Sequence, residues 1–201
     1  MFLSDVEKYF FECRNNAFIF STCGVNNEEH PKDSLHMWSH YGYGHRGVAI
    51  EFDSTLLTQP VLKSLEMYSI EPWYEIHYRS ELPKITCESI FDFVINAADD
   101  DEAWDEAELF NIIQLTLSSK SIVWKNEKEW RLILRNDKTK LKVLRLGIED
   151  DTITSIYLGC RIDDRVKDDL IFETKYKFPN AKIYMSKMVH GKFALEFEPV
   201  F

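Results

Sequence analysis

Glu127, Glu129 and Arg131 recur at every second position in "NEKEWR". That spacing puts side chains on one face of a β-strand. Two carboxylates this close perturb each other's ionisation, and a neighbouring arginine biases one of them to stay charged. Such a set can supply a fixed anion beside a general base. The same spacing also describes a polar outer face with a weak cross-strand ion pair, and spacing by itself favours that plainer reading. Trp130, Leu132 and Leu134 alternate with the charged set and form the expected core face.

Two further stretches carry polar groups able to act together. "FSTC" ends an apolar run with Ser21 and Thr22. Small hydroxyls there can orient a carboxylate or a ribose, although they more often cap the next turn. In "HMWSHYGYGHRG", His36 and His40 are four apart, which is metal-compatible on a helix. A zinc site needs three or four ligands, and neither an HExxH glutamate nor a nearby cysteine supplies the rest, so no metal site is assigned. Trp38 and Tyr41 are expected to pack inward, with histidines toward a cleft. There is no P-loop, no GxSxG elbow and no dinucleotide-binding glycine fingerprint.

The elements that must position these residues can be read from periodicity. Residues 2–13 read as a helix. "AFIFSTC" (17–23) is a short, aromatic and branched buried strand. Asp33 or Ser34 caps a helix over "LHMWSHYG", and the glycines at 42, 44 and 47 permit a tight turn. "RGVAIEFD" alternates as a strand, with Val48, Ile50 and Phe52 on one side. "VLKSLEMYSI" and "WYEIHYRS" are two more strands. "SIFDFVINAA" has helical spacing, and a second helix sets Leu109, Ile112, Ile113 and Leu117 on one stripe. The acidic run 99–108 is a solvated junction. Strands "EWRLIL", "KLKVLRL" and "TITSIYLG" follow, the first two joined by a hairpin. A helix from near Asp163 and strands "AKIYMS" and "KFALEFEPV" close the chain, with His190 and Gly191 at the last turn. Strands and helices mix without a βαβ rhythm. The expectation is an α+β fold with a mixed, mostly antiparallel sheet and flanking helices, in a single domain over residues 1–201.

Composition narrows the function classes. The 201 residues are 45% hydrophobic, enough for a real core, and carry a net charge of -10. That balance argues against a general electrostatic grip on nucleic acid, which needs a basic face; a local basic groove stays open. Cys13, Cys23, Cys87 and Cys160 are scattered without a CxxC pair, as reduced thiols of a cytoplasmic protein would be. No signal peptide and no membrane span is visible.

Four ordered motifs, "MWSHYGYGHRGVAIEFD", "EIHYRSELP", "KSIVWKNEKEWRLI" and "IYLG", resemble the bacterial family called domain of unknown function 2971, over about residues 18–195. Members usually have strands ahead of the "FS" strand, so this chain resembles a minimal member, and a second chain could supply that segment. The family pattern in turn resembles the arginine–serine–glutamate ADP-ribosyltransferases. By that resemblance Glu129 holds the nicotinamide-ribose hydroxyl of NAD, Glu127 activates the acceptor, and Ser21 and Thr22 steady Glu129. Cys23 stands where that class has a serine, and Arg14 is no clear counterpart of its first-strand arginine. Trp38, His40, Tyr41, Trp124 and Arg131 complete the set expected to hold substrate. The resemblance implies an NAD-using transferase, a toxin or phage-defence effector. The alternative is a non-enzymatic module of a bacterial defence or toxin–antitoxin system that binds a protein partner through "MWSHYG" and an acidic face. A nuclease built on His40, Glu129 and Arg131 is the least favoured by the charge.

Overall fold

β1 (Ala17–Cys23) runs antiparallel to β6 (Glu129–Arg135), and β3 (Trp73–Glu75) pairs with the other edge of β6. This three-stranded sheet belongs to one of two compact units into which the chain divides, drawn from segments Met1–Cys23 and Ile70–Leu144. The computed structural model describes residues 17–24, 30–58, 73–84, 115–135, 143, 145 and 147–200. The N-terminal helix, "VLKSLEMYSI", the helices of 89–114 with their acidic junction, and the hairpin into "KLKVLRL" lie outside the described residues.

The central strand of that sheet is apolar on both faces. Leu132, Ile133 and Leu134 are all buried, so β6 is covered on each side rather than on the one face that alternation predicts. Burying such side chains stabilises by about 1.5–3 kcal/mol each. β1 departs the other way: Ile19 and Phe20 are about half exposed, because β1 is an edge of the sheet among the described strands. Phe20 meets Trp73 edge-to-face, with ring centres 6.2 Å apart, across β6. The predicted strand "WYEIHYRS" is broken at Ile76 into β3 and β4 (His77–Arg79). β4 leaves the main sheet and pairs in parallel with β5 (Ser119–Ser121).

The second unit comprises segments Gly24–Ser69 and Arg145–Phe201. Its sheet has the order β2-β7-β8-β9, formed by Val48–Phe52, Ile153–Leu158, Lys182–Met188 and Leu195–Pro199. β7 and β8 are parallel, joined through the 14-residue helix α2 (Asp164–Lys177). A parallel pair needs such a crossover. Asp163 caps α2, its carboxylate accepting from the Arg165 and Val166 backbone N–H groups. Ile156, Leu158 and Ile183 form the core of this unit, with Leu170 and Ile171 of α2 packed against them. Helix α1 (Leu35–His40) starts at Ser34, whose hydroxyl accepts from the Met37 N–H. Trp38 is buried as expected and donates from Nε1 to the Lys32 carbonyl at 2.6 Å; Tyr41 is exposed, correcting the expectation that it packs inward. Ile50 is likewise exposed despite its place in the apolar alternation of β2. The architecture is α+β with mixed and antiparallel sheets. Among the described residues, no helix is long and apolar enough to cross a membrane.

Gly159, the last residue of "IYLG", is a close-approach point. A Cβ there would lie 2.3 Å from the His45 carbonyl oxygen and 2.9 Å from that of Gly47, whose backbones bond to Arg161 N and Gly159 N. Gly159→Ala should therefore cost about 1–3 kcal/mol, read as a lower urea midpoint. An unchanged midpoint would show that the 42–47 turn can retreat.

Candidate functional site: a buried carboxylate pair

The chain enters β6 through a 3-10 helix, Ile122–Glu127, not through a longer strand. This corrects the expectation that Glu127 and Glu129 share one strand face. Between them Lys128 adopts the left-handed conformation, with φ 48° and ψ 47°, a strained choice for a residue with a Cβ. The turn brings both carboxylates to one cation. Lys120 Nζ donates to Glu127 Oε2 and, at 2.8 Å, to Glu129 Oε2. Glu127 is 4% and Glu129 5% exposed. The pair is therefore interior, and the solvated outer face that spacing favoured is overturned.

Register decides what surrounds Glu129. Across β1 and β6, Cys23 pairs with Glu129, Thr22 with Trp130 and Ser21 with Arg131. Directly opposed residues share a face, so Ser21, Cys23, Glu129 and Arg131 lie together, with Tyr74 beside Arg131 from β3. Thr22 falls on the other face, correcting the expectation that it steadies Glu129. The Ser21 hydroxyl is among the groups that lower the Glu129 pKa. Arg131 Nε donates to Glu129 Oε1 at 2.7 Å, and its Nη1 donates to the Leu117 carbonyl.

The backbone of Glu129 is held at both ends. Its N–H donates to the Tyr78 hydroxyl at 2.8 Å, and its carbonyl accepts from the Ile76 N–H at 3.0 Å. Tyr78 and Lys120 are partners in the β4–β5 register, so one short parallel pair delivers both the phenol and the ammonium. Lys120 also lies over the Trp124 ring, 5.6 Å from its centre.

The electrostatics follow from these contacts. Burial pushes the Glu129 carboxyl up, but bonds from Arg131, Lys120 and Ser21 outweigh it, and its pKa is lowered. Burial alone would lower the Lys120 pKa; the bonds to Glu127 and Glu129 reverse this and raise it. Cys23 is pushed up to about 11, by burial first and then by the two carboxylates, which keeps the thiol neutral. Burial and the nearby carboxylates also raise the Tyr78 phenol, against the lowering by the Glu129 N–H.

The structure thus brings Ser21, Trp124, Glu127, Glu129 and Arg131 into one cluster. Trp38, His40 and Tyr41 belong to the second unit. There the His36 and His40 rings are 4.2 Å apart, and among the described residues no group of three or more His, Cys, Asp or Glu side chains could hold a metal. The second unit has its own polar chain: Tyr157 donates to Glu51 Oε2 at 2.5 Å, and His30 approaches the same oxygen at 3.6 Å. Burial and the Glu51 carboxylate raise the Tyr157 phenol far above its ordinary range, which keeps it a donor.

Sequence reasoning missed Lys120 and Tyr78. Both lie inside quoted motifs, Lys120 at the start of "KSIVWKNEKEWRLI" and Tyr78 within "EIHYRSELP", but only the β4–β5 pairing brings them together at the carboxylates.

The model of a protein family of unknown function, DUF2971, matches residues 37–132. The chain is similar to that family over a stretch that includes Tyr78, Lys120, Glu127, Glu129 and Arg131 but not β1 with Ser21. No curated protein and no solved structure gives a match.

Two outcomes follow from the charge arrangement. Removing one partner of a buried pair leaves an uncompensated charge, so Lys120→Met should lose about 3–5 kcal/mol at neutral pH by urea unfolding. The pH slope should also become shallower. In the wild type the depressed Glu129 pKa stabilises above the ordinary value of 4.5, and that stability is lost as pH falls below it. In the variant Glu129 loses the lowering bond from Lys120 while Arg131 stays, so less stability is lost on acidification. A variant with the wild-type slope would refute the pairing. Separately, Cys23 is only partly buried, so its thiol protonation limits reaction. Iodoacetamide labelling of its peptide at pH 8 should run about 100-fold slower than for an ordinary exposed thiol. Labelling at the ordinary rate would contradict the raised pKa.

Proposed function

We propose that the cluster around Glu129 is the catalytic centre of an ADP-ribosyltransferase-like enzyme that consumes NAD. The observation that carries this reading is that the β1–β6 register sets Ser21 and Glu129, more than a hundred positions apart, on a common face.

The chemistry suits a carboxylate held ionised. Cleaving the bond between nicotinamide and ribose sends the bonding pair to the departing nicotinamide nitrogen and leaves positive charge on the sugar. A preorganised anion stabilises that charge. Arg131 fixes Glu129 at Oε1, while Lys120 occupies Oε2. A ribose hydroxyl takes Oε2 as Lys120 withdraws onto Glu127, its other partner. The acceptor then bonds to the sugar carbon and loses its proton to a carboxylate of the pair. Neutral Cys23, opposite Glu129, adds no competing charge.

Nicotinamide release from NAD, followed by chromatography, tests the reading. Wild type should turn over, and Glu129→Gln, which keeps the shape and removes the charge, should fall by about 10²–10³-fold. Equal rates in the two proteins, or no release from either, would remove the enzymatic reading and leave the pair as a charged element of the core.

A further inference from the structure

The motif "EIHYRSELP" has a part that the carboxylate cluster does not use. Residues 78–84, with Ile122, line an open groove of about 570 Å³. That volume lies within the usual range for small-molecule sites. Among the described residues, Tyr78 belongs to both the groove and the cluster. Its ring lines the groove, and its hydroxyl accepts from the Glu129 N–H at 2.8 Å. Ile122 opens the same 3-10 helix that ends in Glu127.

We propose that this groove binds the adenosine diphosphate half of a dinucleotide whose other half reaches Glu129. The assignment rests on the reading of the cluster given above, and deepens it by locating the part of the substrate that does not react. Charge and surface argue for the occupant. Arg79 is exposed and makes no ion pair among the described residues. Its planar fork suits a phosphate, and it is more weakly hydrated than an ammonium. Lys84 adds a second cation, paired at 3.4 Å with Glu81, where both side chains are largely exposed. Such a pair is worth little and exchanges readily for a phosphate. Leu82 is 89% and Ile122 43% exposed. These are apolar surfaces that a purine ring can cover. The chain carries a net charge of -10, whereas the groove is lined by Arg79 and Lys84 against one carboxylate, Glu81.

Calorimetric titration of ADP into Glu129→Gln protein separates this inference from the catalytic one. ADP should bind, more weakly as salt rises. Adding Arg79→Ala should weaken binding about tenfold or more, and Leu82→Asp should weaken it as well. Both residues are exposed, so circular dichroism should be unchanged in these variants. No ADP binding, or binding indifferent to both substitutions, overturns the groove. If NAD turnover is present but its KM ignores Arg79→Ala, the groove fails and the catalytic reading stands. If ADP binds through Arg79 while NAD is never consumed, the groove stands and the catalytic reading fails.

Discussion

Lys120 bonded to two buried carboxylates is the contact on which the first unit's arrangement hangs. Glu127 and Glu129 are each almost wholly removed from water. Two such groups tolerate ionisation only when cations and donors replace the solvent. Lys120 serves both, Arg131 and Ser21 serve the second, and the charges of Glu127, Glu129, Lys120 and Arg131 sum to zero. A neutral cluster can sit buried at the start of the central strand where an isolated carboxylate could not.

That requirement explains several local features that look separate. β3 and β4 are split at Ile76, whose N–H is needed by the Glu129 carbonyl. β4 then turns to pair with β5, which carries Lys120. The 3-10 helix and the left-handed Lys128 set Glu127 back toward the same ammonium. Left-handed geometry at a lysine costs about 1–2 kcal/mol, and a charge-assisted bond within a buried pair is of comparable or larger size. The strain is thus of a size the contacts it makes can offset. Strain of this kind tends to sit where a constellation must be held in place.

The same contacts bear on chemistry. A carboxylate with one oxygen bonded to Arg131 and the other to Lys120 is oriented from both sides. Lysine is a flexible point charge, whereas arginine is a rigid fork. The division of labour between Arg131 and Lys120 follows that difference. Tyr78 ties the cluster to the neighbouring groove by its hydroxyl, while its ring forms part of the wall.

Much of the fold was legible in the chain. "AFIFSTC", "RGVAIEFD" and "TITSIYLG" became strands within two residues of the expected bounds, and Ser34 and Asp163 cap helices as their types predict. Period-two alternation and caps are local, and local signals survive in a sequence. The burial of β6 was not legible, because alternation reports one covered face and cannot report two. Nor was the left-handed Lys128, since lysine gives no signal for positive φ. Residue type alone determined that Glu127, Glu129 and Arg131 would influence one another. Tertiary structure decided that the carboxylates are buried, that Lys120 stands between them, and that Ser21 rather than Thr22 faces Glu129. Each of those facts depends on strand register and on a parallel pairing between distant segments, and a one-residue slip would exchange the faces. Nothing in the order of residues along the chain encodes that choice by itself.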